Sequence, residues 1–79
     1  MTNLRLYSRP DCHLCDFALV LLQESGCVVQ LETVNIEDDD EWLAIYDIRV
    51  PVFQRMDSGA ELSWPFDDDE LEEFLEDKP

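Results

Sequence analysis

Two cysteines with two residues between them, in Ser8-Arg9-Pro10-Asp11-Cys12-His13-Leu14-Cys15-Asp16, sit where a strand pattern stops and a helical pattern starts. That junction constrains the chain more than any other stretch. Upstream, Leu4-Arg5-Leu6-Tyr7 alternates and is rich in strand formers. Downstream, Cys15, Ala18, Leu19 and Leu22 recur at the spacing of an inward helix face. A cysteine at a helix start meets free amide hydrogens and the positive end of the helix dipole. Both favour the thiolate, which is the reactive form. The second cysteine, one turn along, is close enough to close a disulfide with the first.

Charge and cysteine usage narrow the chemistry. Twenty acidic residues against five lysines and arginines give a net charge of −15, which repels nucleic acid phosphates and anionic membrane surfaces. Such acidity serves solubility and admits a basic protein partner. The 79 residues make one domain. No apolar run approaches the roughly 20 residues that span a bilayer, and the N-terminus enters a strand pattern at once, without the layout of a secretory signal. A reducing, cytoplasmic setting is therefore expected. Three cysteines are too few and too uneven for a disulfide scaffold, so the pair reads as redox-active or as half of a metal site. Zinc requires four ligands, and only Cys12, Cys15, His13 and the distant Cys27 are on offer, so no metal is expected. Cys27 itself reads as a buried, small apolar filler.

Along the chain, a first strand over Leu4–Ser8 leads to a helix from about Asp11 to Ser25, stopped by Gly26. Cys27–Ile36 is rich in β-branched residues and reads as a second strand, parallel to the first across a right-handed crossover. The acidic run Glu37–Glu41 reads as helix-start chemistry. It opens a short helix, Asp40 to about Asp47, expected to bury Trp42, Ile45 and either Tyr46 or Ile48. Arg49–Arg55 is a strand whose proline points away from a central position. With Ala60–Trp64 it forms a hairpin over the turn Met56–Gly59. Asp67 and Glu70 have capping-box spacing before a last helix that turns Leu71, Phe74 and Leu75 inward. The expected fold is α/β, in the order β-α-β-α-β-β-α, with helices on both faces of a small mixed sheet. With no extra apolar face evident, a monomer is expected.

This order, with Cys12-His13-Leu14-Cys15 at the first helix start and Val50-Pro51-Val52-Phe53 at the third strand, resembles the glutaredoxin branch of the thioredoxin fold. It is most similar to short bacterial glutaredoxin-like proteins carrying a Trp-Pro-Phe-Asp segment, here Trp64-Pro65-Phe66-Asp67. The resemblance covers nearly the whole chain and implies a four-stranded sheet. It implies that Cys12 is the nucleophile, that Cys15 resolves, and that Pro51 is a cis-proline facing the pair. Val50 would turn its carbonyl and amide toward a docking peptide or glutathione, and Arg9 would meet a glutathione carboxylate. Two departures stand out. His13-Leu14 replaces the usual Pro-Tyr, and the Gly-Gly-x-Asp segment that holds glutathione is absent, leaving Asp67 and Asp68 near that helix start.

The expected activity is therefore dithiol–disulfide exchange with a disulfide-bearing protein or with glutathione, the latter as a co-substrate and not a tightly bound cofactor. The helix start and Arg9 would lower the Cys12 pKa, while Asp11 and Asp16 oppose them. His13 would tune the pair or shuttle its proton. The alternative is a non-enzymatic acidic module that keeps the fold and binds a partner or a metal.

Overall fold

Both faces of the first strand carry core. In the computed structural model, which describes residues 2–76, β1 (Thr2–Ser8) buries Leu4 and Leu6 on one side and Tyr7 on the other. Its neighbours follow from that. β2 (Val29–Asn35) runs parallel to it, with Leu4 opposite Leu31, and β3 (Val52–Arg55) runs antiparallel, with Leu6 opposite Phe53. β4 (Glu61–Ser63) closes the hairpin on β3, and the strand order is β2-β1-β3-β4. The helices are α1 (His13–Glu24), α2 (Asp40–Tyr46) and α3 (Asp68–Glu76), with one 3-10 turn at Ile36–Asp38 ahead of α2. The expected element order and mixed sheet are both present. Lys78 lies outside the described residues.

One strand sits where its proline argued it should not. β3 lies inside the sheet, between β1 and β4. The reason is local: Pro51 precedes Val52, the outermost β3 partner of β1, so its missing N–H removes no bond from that ladder. Its carbonyl still accepts a bond from the Trp64 amide at 3.1 Å.

Helices cover both faces. Ala18 and Leu22 of α1, with Leu71 and Leu75 of α3, pack on Leu4, Leu6 and Phe53. Gly26, at φ +72°, stops α1 in a left-handed turn that glycine adopts at no steric cost. Across the sheet, Tyr46 of α2 joins Tyr7, Ile36 and Val52, and the Tyr7 and Tyr46 rings stack with centroids 4.0 Å apart. α2 is capped by the Asp39 carboxylate, which accepts from the Glu41 amide at 2.8 Å. Its inward residues are Trp42, Leu43 and Tyr46, which corrects the expected set. Ile45 is 52% exposed and Ile48, beyond the helix end, 94%. At 100° per residue, positions 42, 43 and 46 share one face and 45 falls off it. Cys27 is half-buried against the first cluster, not fully sealed as expected.

Each arginine of the described chain has an acidic partner. Arg5 pairs with Glu32 at 2.7 Å, Arg9 with Asp47 at 2.7 Å and Arg49 with Glu61 at 2.9 Å. Arg55 is buried and grips Asp57 with two nitrogens, at 3.1 and 2.7 Å, while Nη1 donates to the Phe74 and Leu75 carbonyls. The Arg55 guanidinium holds the exposed Asp57 carboxyl below the usual aspartate range. Tyr46 donates its hydroxyl to Glu61, bridging α2 to β4. Burial first, and then that bond, raise the Tyr46 phenol above its ordinary value.

Two stability outcomes follow. Phe53→Ala empties a fully buried site between three elements and is expected to cost about 3–5 kcal/mol in urea unfolding. Tyr46→Phe removes a bond whose acceptor is partly solvated, costing about 1 kcal/mol at neutral pH. A raised phenol contributes stability that is complete below the unfolded value near 10 and is lost as pH rises toward the folded one. Tyr46→Phe is therefore expected to lose less stability than the parent between about pH 9.5 and 11.5, by urea midpoints.

Candidate redox site

β1 ends at Ser8 and hands the chain to Arg9-Pro10-Asp11. Asp11 sits at φ +61°, a left-handed conformation that aspartate tolerates better than most residues. That turn delivers Cys12 in an extended conformation to the N-cap position of α1. Its Sγ accepts the Cys15 amide hydrogen at 3.1 Å, the bond a serine oxygen makes at ordinary caps. Cys12 and Cys15 are joined as a disulfide, with Cα atoms 5.3 Å apart. The two sulfurs are not equivalent. Cys15, on the inward face of α1, is only 5% exposed, whereas Cys12 is half-exposed.

A cleft of about 430 Å³ opens beside the pair, walled by Ser8, Arg9, Asp11, His13 and Thr33 as well as both cysteines. Arg9, Asp11 and His13 are thus brought together in the cleft beside the sulfurs. Arg9 does not point a free charge there. Its Nη2 and Nη1 donate to the side chain and carbonyl of Asp47 at 2.7 and 3.2 Å, tying the cysteine loop to the end of α2. A glutathione carboxylate would have to compete with Asp47 for it.

The Val50–Pro51 bond is cis. Tyr7 pairs with Val52, so Ser8 at the end of β1 and Pro51 just before β3 lie at the end of the sheet from which the cysteine loop departs. Val50 departs from the expectation in one respect. Its amide hydrogen is donated to the Tyr46 carbonyl at 3.1 Å, so that amide is already engaged within the fold.

Asp67 and Asp68 lie elsewhere. Asp67 caps α3, accepting from the Glu70 amide at 2.8 Å, and Asp68 accepts from the Asp69 amide at 3.1 Å. Both border a second groove of about 460 Å³, whose floor is Leu14, Phe17, Val20, Leu21, Trp64 and Phe66. This groove shares no wall residue with the cleft, and the two flank the start of α1. The Trp64–Pro65 bond that enters it is also cis, and Trp64 meets Phe66 edge-on at 5.0 Å. The apolar outer stripe of α1 overturns the expectation that no extra apolar face exists. Its signal was present in Phe17–Leu22, six consecutive apolar residues that cannot all turn inward on one helix. Among the described residues, no group of three or more histidine, cysteine or acidic side chains is placed to hold a metal ion.

A disulfide capping a helix that packs on a four-stranded mixed sheet, with a cis-proline at the same sheet edge, defines a thioredoxin-type fold. The family model described as "Glutaredoxin-like domain (DUF836)" matches residues 3–76, and the chain belongs to that glutaredoxin-like family. Its fold is matched by the X-ray structure of Northeast Structural Genomics target protein XcR50 from X. campestris, with TM-score 0.86 and 41% identity over 96% of this chain and 99% of that one. The solution structure of the same target matches with TM-score 0.84 and 40% identity, covering 100% of this chain and 97% of the other. No curated protein matches the chain. Family and cysteine pair together fit a redox role.

The Asp67 cap positions the border of the second groove and is testable apart from any chemistry. Asp67→Ala is expected to cost about 1 kcal/mol in urea unfolding and Asp67→Asn only a small part of that, since asparagine caps nearly as well.

Proposed function

We propose that the protein is a dithiol–disulfide oxidoreductase in which Cys12 attacks and Cys15 resolves. The observation that carries this reading is the asymmetry of the pair: the accessible sulfur is the one at the helix start that accepts the Cys15 amide hydrogen. In the reduced protein that N–H and the helix dipole would stabilise the Cys12 thiolate. The thiolate forms a bond to one sulfur of a substrate disulfide, and the other substrate sulfur leaves as a thiolate. Cys15, having lost its proton to solvent, then attacks Sγ of Cys12 and displaces the second substrate sulfur. Two electrons pass to the substrate and the protein is left as the Cys12–Cys15 disulfide. Two equivalents of a small thiol such as glutathione, or a thioredoxin-type reductase, restore the dithiol.

The substrates supported by this reading are protein disulfides first and glutathione mixed disulfides second. Arg9 is engaged by Asp47, and Trp64, Pro65 and Phe66 occupy the place of the glycines that would hold glutathione. Pro51 and the Val50 carbonyl would align the incoming chain at the sheet edge, and His13 and Asp11 would set the electrostatics around the thiolate. A reducing compartment such as the cytoplasm suits the cycle.

Turnover of a peptide–glutathione mixed disulfide by the reduced protein, with glutathione as reductant, tests the assignment. Cys12→Ser is expected to abolish it, and Cys15→Ser, mixed with the peptide disulfide in the absence of glutathione, to accumulate a mixed disulfide on Cys12, seen as a mass increase on the intact protein. A parent protein that neither turns over this substrate nor, once reduced, reduces a peptide disulfide stoichiometrically, or one whose Cys15→Ser variant is modified at Cys27 instead, would overturn the assignment in favour of a binding module.

A further inference from the structure

We infer that the groove between α1 and the β4–α3 connection docks a cationic polypeptide that carries a large apolar side chain beside its disulfide. The inference deepens the oxidoreductase reading by naming its substrate class and rests on it. Three observations carry it. The floor is apolar and open: Phe17 is 59% exposed, and Leu14 and Val20 are also exposed, on a helix whose other face is already packed. One end of the groove is Leu14, in the first turn of the helix that Cys12 caps, so a chain seated there lies within a helical turn of the redox pair. Finally, among the described residues, the carboxylates on its border meet no lysine or arginine. Asp67 and Asp68 line it, Asp16 and His13 line the adjoining pocket that shares Phe17 and Val20, and no lysine or arginine lines either.

Charge complementarity selects the occupant. Glutathione carries two carboxylates and one ammonium, and would bring net negative charge to three aspartates. A second copy of the chain would bring another −15 and be repelled. Lysine or arginine flanking an aromatic or leucine side chain places positive charge against the border and apolar surface on the floor, the division of labour found at specific interfaces.

The test uses two cyclic disulfide peptides, identical in their tryptophan and cysteines, one flanked by lysines and one by glutamates. Reduction of each by the dithiol protein is followed at about 0.15 M salt, where charges beyond about 8 Å are screened. The lysine peptide is expected to react about tenfold faster than the glutamate peptide. Because both rates come from the same protein, their ratio cancels any general loss of activity. Phe17→Ser is expected to slow the lysine peptide about fivefold, and Asp67→Asn with Asp68→Asn to bring the ratio toward one. The control is Asp40→Asn with Glu41→Gln, which removes the same charge from α2 across the sheet and should leave the ratio standing. Equal rates for the two peptides, an equal fall of the ratio in the α2 control, or a concentration-dependent dimer abolished by Phe17→Ser would each overturn the proposal. Binding of a cysteine-free lysine peptide to the Cys12→Ser, Cys15→Ser protein, measured by calorimetry, separates the two readings. Binding without any exchange in the parent sinks the redox assignment and keeps the groove; exchange without charge preference does the reverse.

Discussion

Burial of β1 on both faces is the constraint from which the other positions follow. Leu4 and Leu6 are packed under α1 and α3, while Tyr7 is packed under α2. A strand held from two sides cannot shift register without exposing one set and burying the other. Its end is therefore fixed, and with it the take-off point of the loop that carries Cys12. β3 is locked to it by the Leu6–Phe53 and Tyr7–Val52 pairs. The cysteine loop and the Val50-Pro51 segment thus meet at one edge because a single strand sets both. The disulfide sits at the start of α1, with only Arg9, Pro10 and Asp11 between the end of β1 and Cys12.

Much of this was legible in the residues, for reasons that are local. The alternation of Leu4–Tyr7, the C-x-x-C at the helix start, Gly26 after α1 and the Asp67–Glu70 spacing each specify backbone behaviour within a few positions. What escaped was decided by partners far apart in sequence. The central place of β3 depended on where Pro51 falls against Tyr7, which spacing alone does not reveal. The inward face of α2 lies on a helix only seven residues long, on which Ile45 falls outside the stripe of Trp42, Leu43 and Tyr46 and Ile48 lies past the end. The site residues divided in the same way. Cys12, Cys15, Arg9, Asp11 and His13 are neighbours in sequence and gather at one cleft. Asp67 and Asp68 belong to another groove, and the pairing of Arg9 with Asp47 joins residues 38 positions apart.

The distribution of charge has its own logic. A chain with four acidic residues for each basic one could have left its arginines as isolated positive points. Instead Arg5, Arg9 and Arg49 each bridge two elements or loops, and Arg5 and Arg49 also lie over the rings of Trp42 and Tyr46. Such half-exposed pairs add little stability singly, but they neutralise positive charge around the sheet. The surface that remains is acidic, and the exposed Leu14, Phe17 and Val20 of α1 interrupt it near the sulfurs.

Arg55 has a consequence of another kind. Among the described residues, the last turn of α3 contains no basic side chain to balance its exposed carbonyls. The missing cation comes from β3, where Arg55 reaches the carbonyls of Phe74 and Leu75 and is itself clamped by Asp57 of the hairpin turn. Fraying of that helix end would strand a buried guanidinium without its Phe74 and Leu75 acceptors. Terminal helix and hairpin are thereby coupled into a single cooperative unit, and the tail of a very small domain is fastened by a residue from its middle.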